Sequence, residues 1–303
     1  MHCIPPTTYN GMEGFNMKQP IFTGVCTALV TPFLEGKVNY PMLKILLKRQ
    51  MEYGIPAVAI CGTTGEAPTL SDSEKLSLFQ ESKEVCGNEM LMIAGTGSND
   101  TLHAVMLSIA AEKAGADALL VVTPYYNKAN PDGIIKHYKE ISDAVTIPII
   151  VYNVPSRTGL DIPVEIYPEL AKLKNIAGVK EASTSIQKLG KIMSVCDLPI
   201  WTGNDDMTVP AISLGAKGVI SVLSNVSPLK SMLMTQAALS GDFVTAASLH
   251  MNLIPIMDAL FCDVNPIPVK AAMKLIGYDC GECRLPLGKL SEEKRSILNA
   301  ALM

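Results

Sequence analysis

Histidine is scarce in this sequence: His2, His103, His137 and His250 are the only four in 303 residues, and they lie in the leader or in helical-looking segments. A metal-dependent hydrolase or aldolase needs His and Asp/Glu ligands converging on one point, so metal catalysis is disfavoured. Long apolar runs are missing as well. No stretch reaches the roughly 18 uninterrupted apolar residues of a membrane helix. The leader MHCIPPTTYNGMEGFN carries Pro, Gly and Asn without a basic region followed by an apolar one, and it reads as a loose extension, not a secretory signal. A concentrated positive charge is the third absence. The 25 Lys and Arg are scattered and outnumbered by 29 Asp and Glu, for a formal net charge of -4, which leaves no basic stripe for nucleic acid or an anionic membrane. A small-molecule partner is expected.

What is present is ordinary for an aliphatic core: 48% hydrophobic residues, 18% charged and a single Trp. Most of the eight cysteines fall in apolar or helical-looking runs, where Cys serves as a small hydrophobe. Cys280 and Cys283 form one C-x-x-C, with no second pair or His cluster to complete a zinc site. A reduced, cytoplasmic protein fits this usage.

From residue 18 onward short apolar runs alternate with amphipathic segments. The runs are 25–30, 57–61, 91–94, 118–123, 147–152, 176–180, 200–202 and 218–222, and segments such as 40–53, 71–85 and 101–114 have helical periodicity. Ser71 followed by Glu74 is a helix-opening signature. Eight βα repeats in a little over 200 residues specify an α/β fold, a (β/α)8 barrel of TIM type, in preference to an open doubly wound sheet. After residue 222 the chain reads as helices alone. The expected organisation is a loose extension at 1–17, the barrel at 18–240 and a small helical C-terminal domain at 241–303.

Barrel chemistry sits at the carboxyl ends of the strands. The residues gathered there by topology are Thr63, Thr64 and Gly65 in CGTTGE, the loop AGTGSND, Tyr125 and Tyr126 in TPYYN, Tyr152 and Arg157 in YNVPSRTG, Lys180 in GVKEAS and Gly203 in TGNDD. The set offers an amine, phenols, hydroxyls and a guanidinium. Each has a plainer reading: Lys180 paired with Glu181, Arg157 on a surface carboxylate, a tyrosine packing at the rim, the Gly/Thr loops cradling an anion. Taken together, the set favours an amine nucleophile. Burial disfavours the charged form of an amine, and a neutral amine condenses with ketones to an imine that acts as an electron sink.

The words GTTGE, TPYYNK, YNVPSRTG, GVKEAS and GVISV resemble the dihydrodipicolinate synthase family of pyruvate-dependent Schiff-base aldolases over about residues 20–303. The resemblance implies that Lys180 forms an imine with pyruvate. It further implies a proton relay of Tyr152 and Thr63, completed by Tyr126 from a neighbouring subunit of a homotetramer. Thr64 would hold the pyruvate carboxylate and Arg157 that of L-aspartate 4-semialdehyde, with Gly203 and Ile220 giving backbone contacts near the imine. No cofactor is implied. N-acetylneuraminate lyase, which shares the lysine, the tyrosine and the Gly/Thr loop, is the alternative, and a 2-keto-3-deoxygluconate-type aldolase a weaker one. Arg157 suits a small carboxylated aldehyde over a polyhydroxylated sugar. A silent binding protein on the same barrel would have no use for an intact Lys180, Tyr152 and Thr63. Feedback-inhibited members bind free lysine near Tyr125. At the matching positions this chain keeps Asn99 and Tyr125 but has Asp72 and Lys75 where those enzymes tend to carry histidines, and His103 where they tend to carry glutamate. Weak or absent inhibition by lysine is therefore expected.

Overall fold

In the computed structural model, which describes residues 18–302, the alternating runs become one closed parallel barrel. The expected extension at 1–17 lies outside the described residues. The strands are β1 Gly24–Ala28, β2 Phe33–Leu34, β3 Lys37–Val38, β4 Ala57–Ile60, β5 Leu91–Gly95, β6 Ala118–Val122, β7 Ile149–Asn153, β8 Ile176–Glu181, β9 Ile200–Thr202 and β10 Gly218–Ser221. Around the barrel they run β1-β10-β9-β8-β7-β6-β5-β4, while β2 and β3 form a separate antiparallel pair. These barrel strands are buried almost throughout, which is why each reads as a continuous apolar run.

Successive strand residues face opposite sides, and two cores result. Outward residues such as Val58, Leu119, Val151 and Val179 pack under the helices. Inward residues, among them Cys26, Ala59, Ile93, Leu120, Tyr152, Trp201 and Ile220, fill the barrel. Phe22 stacks on Trp201 with ring centroids 4.7 Å apart. Gly178 makes room for that indole: a Cβ there would lie 2.5 Å from Trp201 Cζ3.

Strand edges differ from the sequence reading by one or two residues. Ile147 stands outside β7 because Pro148 intervenes, and proline has no N–H for a ladder. Leu29 and Val30 are buried but follow the end of β1, and Val30 N donates to the side chain of Asn225. The β2/β3 hairpin is the unexpected element. Its turn carries Glu35 at φ 51° and Gly36 at φ 76°, the left-handed pair that closes a two-residue hairpin.

The helix Asp72–Cys86 opens with the reciprocal cap read at Ser71 and Glu74. Beyond the helix Pro228–Leu239 the chain runs through helices Phe243–Ala259, Ile267–Leu275 and Glu292–Leu302, with no further barrel strand among the described residues. Among the described residues no helix is long and apolar enough to cross a membrane.

Candidate active site

Lys180 is the fifth residue of β8, directly across from Tyr152 in β7 and Trp201 in β9. It points into the barrel and is only 5% exposed. Its Nζ lies 4.2 Å from the centroid of the Tyr152 ring. Glu181, next along the strand, faces the other way, which rules out the plain pairing of the two. The Glu181 carboxylate instead accepts from Asn153 Nδ2 at 3.0 Å, Tyr167 Oη at 3.3 Å and Ser183 N at 2.7 Å. That network anchors β8 from outside while leaving its inner face to the lysine.

Two neighbours define what Lys180 can do. Gly203 approaches so closely that a Cβ there would sit 2.9 Å from Lys180 Cε and 2.6 Å from Ala182 Cβ. Cys26 is a buried thiol in the same barrel, and burial pushes it up, a shift only partly opposed by Lys180. Cys61 is likewise pushed up by burial. Burial thus disfavours the thiolate of both, which argues against either as a competing nucleophile.

A cavity of about 600 Å³ has Thr63, Tyr125, Tyr152 and Arg157 among its walls; Lys180 is not itself a wall residue and meets the cavity through the Tyr152 ring it contacts. Thr63 and Thr64 come from the loop after β4, which is held by a left-handed Glu66 at φ 57°. Glu66 is fully buried and paired with Lys270 at 2.9 Å, and it also accepts from Arg284 N at 2.9 Å. Thr31 Oγ1 donates to Gly65 O at 2.7 Å. The C-terminal helical segment thus clamps the threonine loop against the barrel.

Arg157 lies in the short helix Pro155–Thr158 after β7. Its Nη2 donates to the backbone carbonyl of Asn265 at 3.0 Å, not to a surface carboxylate. Its remaining guanidinium donors have no partner among the described residues, which leaves them able to receive a planar acid. Asn265 also donates from Nδ2 to Thr64 Oγ1 at 3.0 Å. Asp205, on the loop after β9, accepts from Ser221 Oγ at 2.5 Å and from the amides of Val222 and Leu223 at 2.9 Å. Burial raises its carboxyl, and the three donors fix the turn that follows Ile220.

The structure therefore gathers Lys180, Tyr152, Thr63, Arg157 and Gly203 at one barrel mouth, with Thr64 tied in through Asn265 and Ile220 in the barrel interior. It leaves Tyr126 out: the ring is 90% exposed, on a backbone at φ 71°. Asn265 and Asp205 escaped the sequence reading. Asp205 had a signal, since it stands in the TGNDD strand end. Asn265 had none, because its contact with Thr64 spans 201 positions. Among the described residues no group of three or more His, Cys, Asp and Glu side chains is arranged to hold a metal ion.

The model of the Dihydrodipicolinate synthetase family matches residues 21–303. The 4-hydroxy-tetrahydrodipicolinate synthase of Caldicellulosiruptor saccharolyticus is 48% identical over 286 residues, 94% of this chain and 97% of that protein. The protein of the same name from Acetivibrio thermocellus is 46% identical over 288 residues, covering 94% and 98%. The crystal structure of dihydrodipicolinate synthase from Thermotoga maritima has a TM-score of 0.91 at 40% identity, covering 93% of this chain and 98% of that one.

Proposed function

The chain belongs to the dihydrodipicolinate synthetase family, and from that premise we propose that it condenses pyruvate with L-aspartate 4-semialdehyde through a Schiff base on Lys180. The observation that carries the reading is the placement of Lys180 against the Tyr152 ring, in a barrel whose mouth also holds Thr63 and Arg157. The Lys180 amine attacks the pyruvate ketone, and loss of water gives the imine. Loss of a methyl proton gives an enamine, whose carbon adds to the aldehyde of the second substrate. The amine of that substrate then displaces Lys180, closing a six-membered ring and releasing (4S)-4-hydroxy-2,3,4,5-tetrahydrodipicolinate. Tyr152 and Thr63 relay the protons, a task that a chain of hydroxyls can serve. Thr64 holds the pyruvate carboxylate, and Arg157 receives that of the semialdehyde in a bidentate clamp. Lys180 supplies the electron sink itself, so the reading assigns no cofactor.

The same reading makes the enzyme a cytoplasmic homotetramer in which Tyr126 completes the relay of a neighbouring subunit. Tyr126 is highly exposed, as are Leu102 at 66% and Met106 at 61% in the helix Thr101–Lys113, and Asn127 Nδ2 donates to Asn99 O just before that helix, which supports a second copy of the chain covering these residues. Light scattering at assay concentration should find an oligomer; a fully active monomer would remove the role of Tyr126.

Borohydride reduction in the presence of pyruvate is the deciding experiment. One pyruvate-derived mass increment is expected, located on Lys180 and absent from Lys180→Ala. No increment, or one retained in Lys180→Ala, removes the mechanism. Product formation with L-aspartate 4-semialdehyde, compared with N-acetylmannosamine as acceptor, then separates the synthase from a sugar-acid lyase.

A further inference from the structure

The C-terminal helices return to the barrel mouth at Asn265. This residue is 5% exposed, and its two polar ends point to different partners: Nδ2 donates to Thr64 Oγ1 at 3.0 Å, and the backbone carbonyl accepts from Arg157 Nη2 at 3.0 Å. Its other side-chain polar atom, Oδ1, is buried without a hydrogen-bond partner among the described residues. A buried acceptor left unpaired is costly, so a side chain that served only to fill space would be better apolar.

The direction of the Thr64 contact matters. A hydroxyl has one donor and two acceptor lone pairs. Because Asn265 donates, it occupies a lone pair and leaves the single O–H of Thr64 free to point elsewhere. An acceptor at position 265 would capture that hydrogen. The carbonyl of Asn265 acts on the second anchor in the same way, fixing one guanidinium nitrogen of Arg157 and leaving the rest of its donor fork open.

Resting on the proposed roles of Thr64 and Arg157, we infer that Asn265 is a positioning residue for both carboxylate anchors. Its amide turns the Thr64 hydroxyl toward the carboxylate of the keto acid, and its carbonyl sets the guanidinium that receives the carboxylate of the aldehyde. One residue of the C-terminal segment thereby registers the two acids against each other. An aspartate at 265 would be nearly the same shape but would reverse the hydrogen bond and add a negative charge near the bound acid.

Asn265→Ala and Asn265→Asp, with Thr64→Val and the double variant Thr64→Val/Asn265→Ala, test this through separate saturation curves for the two substrates. Asn265→Ala should raise the half-saturating pyruvate concentration ~10-fold, the worth of one hydrogen bond to a charged group. The half-saturating semialdehyde should move much less, since the backbone carbonyl remains. Asn265→Asp should be worse, ~100-fold, despite its better fit. In the Thr64→Val background, Asn265→Ala should add nothing. A merely structural asparagine predicts the opposite order: Asp milder than Ala, with both saturation constants and the melting temperature moving together. That order, or unchanged pyruvate saturation in Asn265→Asp, overturns the inference. If Asn265→Ala fails to fold, the near-isosteric Asn265→Asp and Thr64→Val still decide. Absence of a borohydride-trapped adduct in the unaltered chain takes down the proposed function and this inference together; a normal adduct with unmoved saturation in Asn265→Asp takes down the inference alone.

Discussion

Lys180 and Tyr152 are register partners on adjacent parallel strands, with the side-chain nitrogen Nζ 4.2 Å from the centroid of the phenol ring. Backbone pairing holds the two side chains on the same inner face, so their relation depends on the barrel and not on a flexible loop. The ring does two things: its face contacts the amine, and its hydroxyl is the proposed proton carrier. Tyr152→Phe keeps the first and deletes the second. Its expected outcome is persistent pyruvate trapping with kcat reduced about 10²–10⁴-fold, the usual worth of a general acid–base group. Loss of trapping in this variant would mean that the hydroxyl helps hold the amine in place.

Gly203 should tolerate no side chain. Its hypothetical Cβ falls 2.9 Å from Lys180 Cε and 2.6 Å from Ala182 Cβ, so Gly203→Ala must shift the lysine or the backbone of two strands. Overpacking of this kind costs about 1–3 kcal/mol. The variant is expected to fold with a lowered melting temperature and to form the pyruvate adduct more slowly. Unchanged trapping kinetics would show that Lys180 can yield without penalty.

Arg157 should act on the aldehyde substrate alone. Removing a charged hydrogen-bond donor from a carboxylate costs ~1.5–3 kcal/mol, or about 10–100-fold in semialdehyde KM by the usual conversion. Pyruvate trapping should persist in Arg157→Ala. The assignment fails if trapping is abolished while the response to semialdehyde is unchanged.

The barrel was legible in the sequence because a strand buried on both faces must be written as an unbroken apolar run, and eight such runs are hard to arrange otherwise. Lys180, Tyr152 and Arg157 were legible because topology alone brings strand ends to one mouth. The hairpin β2/β3 was not, since two-residue strands have no period to read; its only cue was the Glu35-Gly36 turn. Asn265 and the buried Lys270–Glu66 pair were not legible for a different reason. They join the C-terminal segment to the loop after β4, and nothing in local periodicity records a contact 201 or 204 positions away.

Acid should loosen this same attachment at a neighbouring point. Arg284 donates to both oxygens of Glu74, which lies at the start of the helix Asp72–Cys86. The hydrogen bond from Arg284 is the main cause that holds the Glu74 carboxyl down at about 2, against an ordinary 4.5. A carboxyl depressed on folding stabilises the native state above its unfolded value and loses that contribution as pH falls through the native one. The window is therefore about 4.5 down to about 2. With Glu74 partly exposed, screening reduces the effect to about 1–2 kcal/mol. Glu74→Gln should be less stable by that amount at pH 7 in urea unfolding, and the gap should close near pH 2. A gap independent of pH would show that the loss is packing and not charge.

Free lysine should inhibit weakly if at all. From the family resemblance, an effector site would be expected near Tyr125. Here Asp72, Lys75, Asn99, His103 and Tyr125 line the same cavity as Thr63 and Arg157. Asp72 is the one carboxylate that could receive an effector ammonium, and it is already committed. His103 Nε2 lies 2.9 Å from it, and Lys75 Nζ lies 3.7 Å away. The contact with His103 also holds the Asp72 carboxyl below its ordinary value, which strengthens the existing arrangement. His103 Nδ1 is engaged with Ser98 Oγ at 3.2 Å, so the imidazole is fixed in a place where a second carboxylate would be needed. An entering lysine would meet the ammonium of Lys75, a residue only 8% exposed, and like-charge contact in such a place costs roughly 1–3 kcal/mol. Millimolar L-lysine is therefore expected to leave the initial rate nearly unchanged. Because the cause is charge, Lys75→Met should restore measurable, saturable inhibition. Strong inhibition of the unaltered enzyme, or none in either protein, would show that Lys75 is not what keeps the effector out.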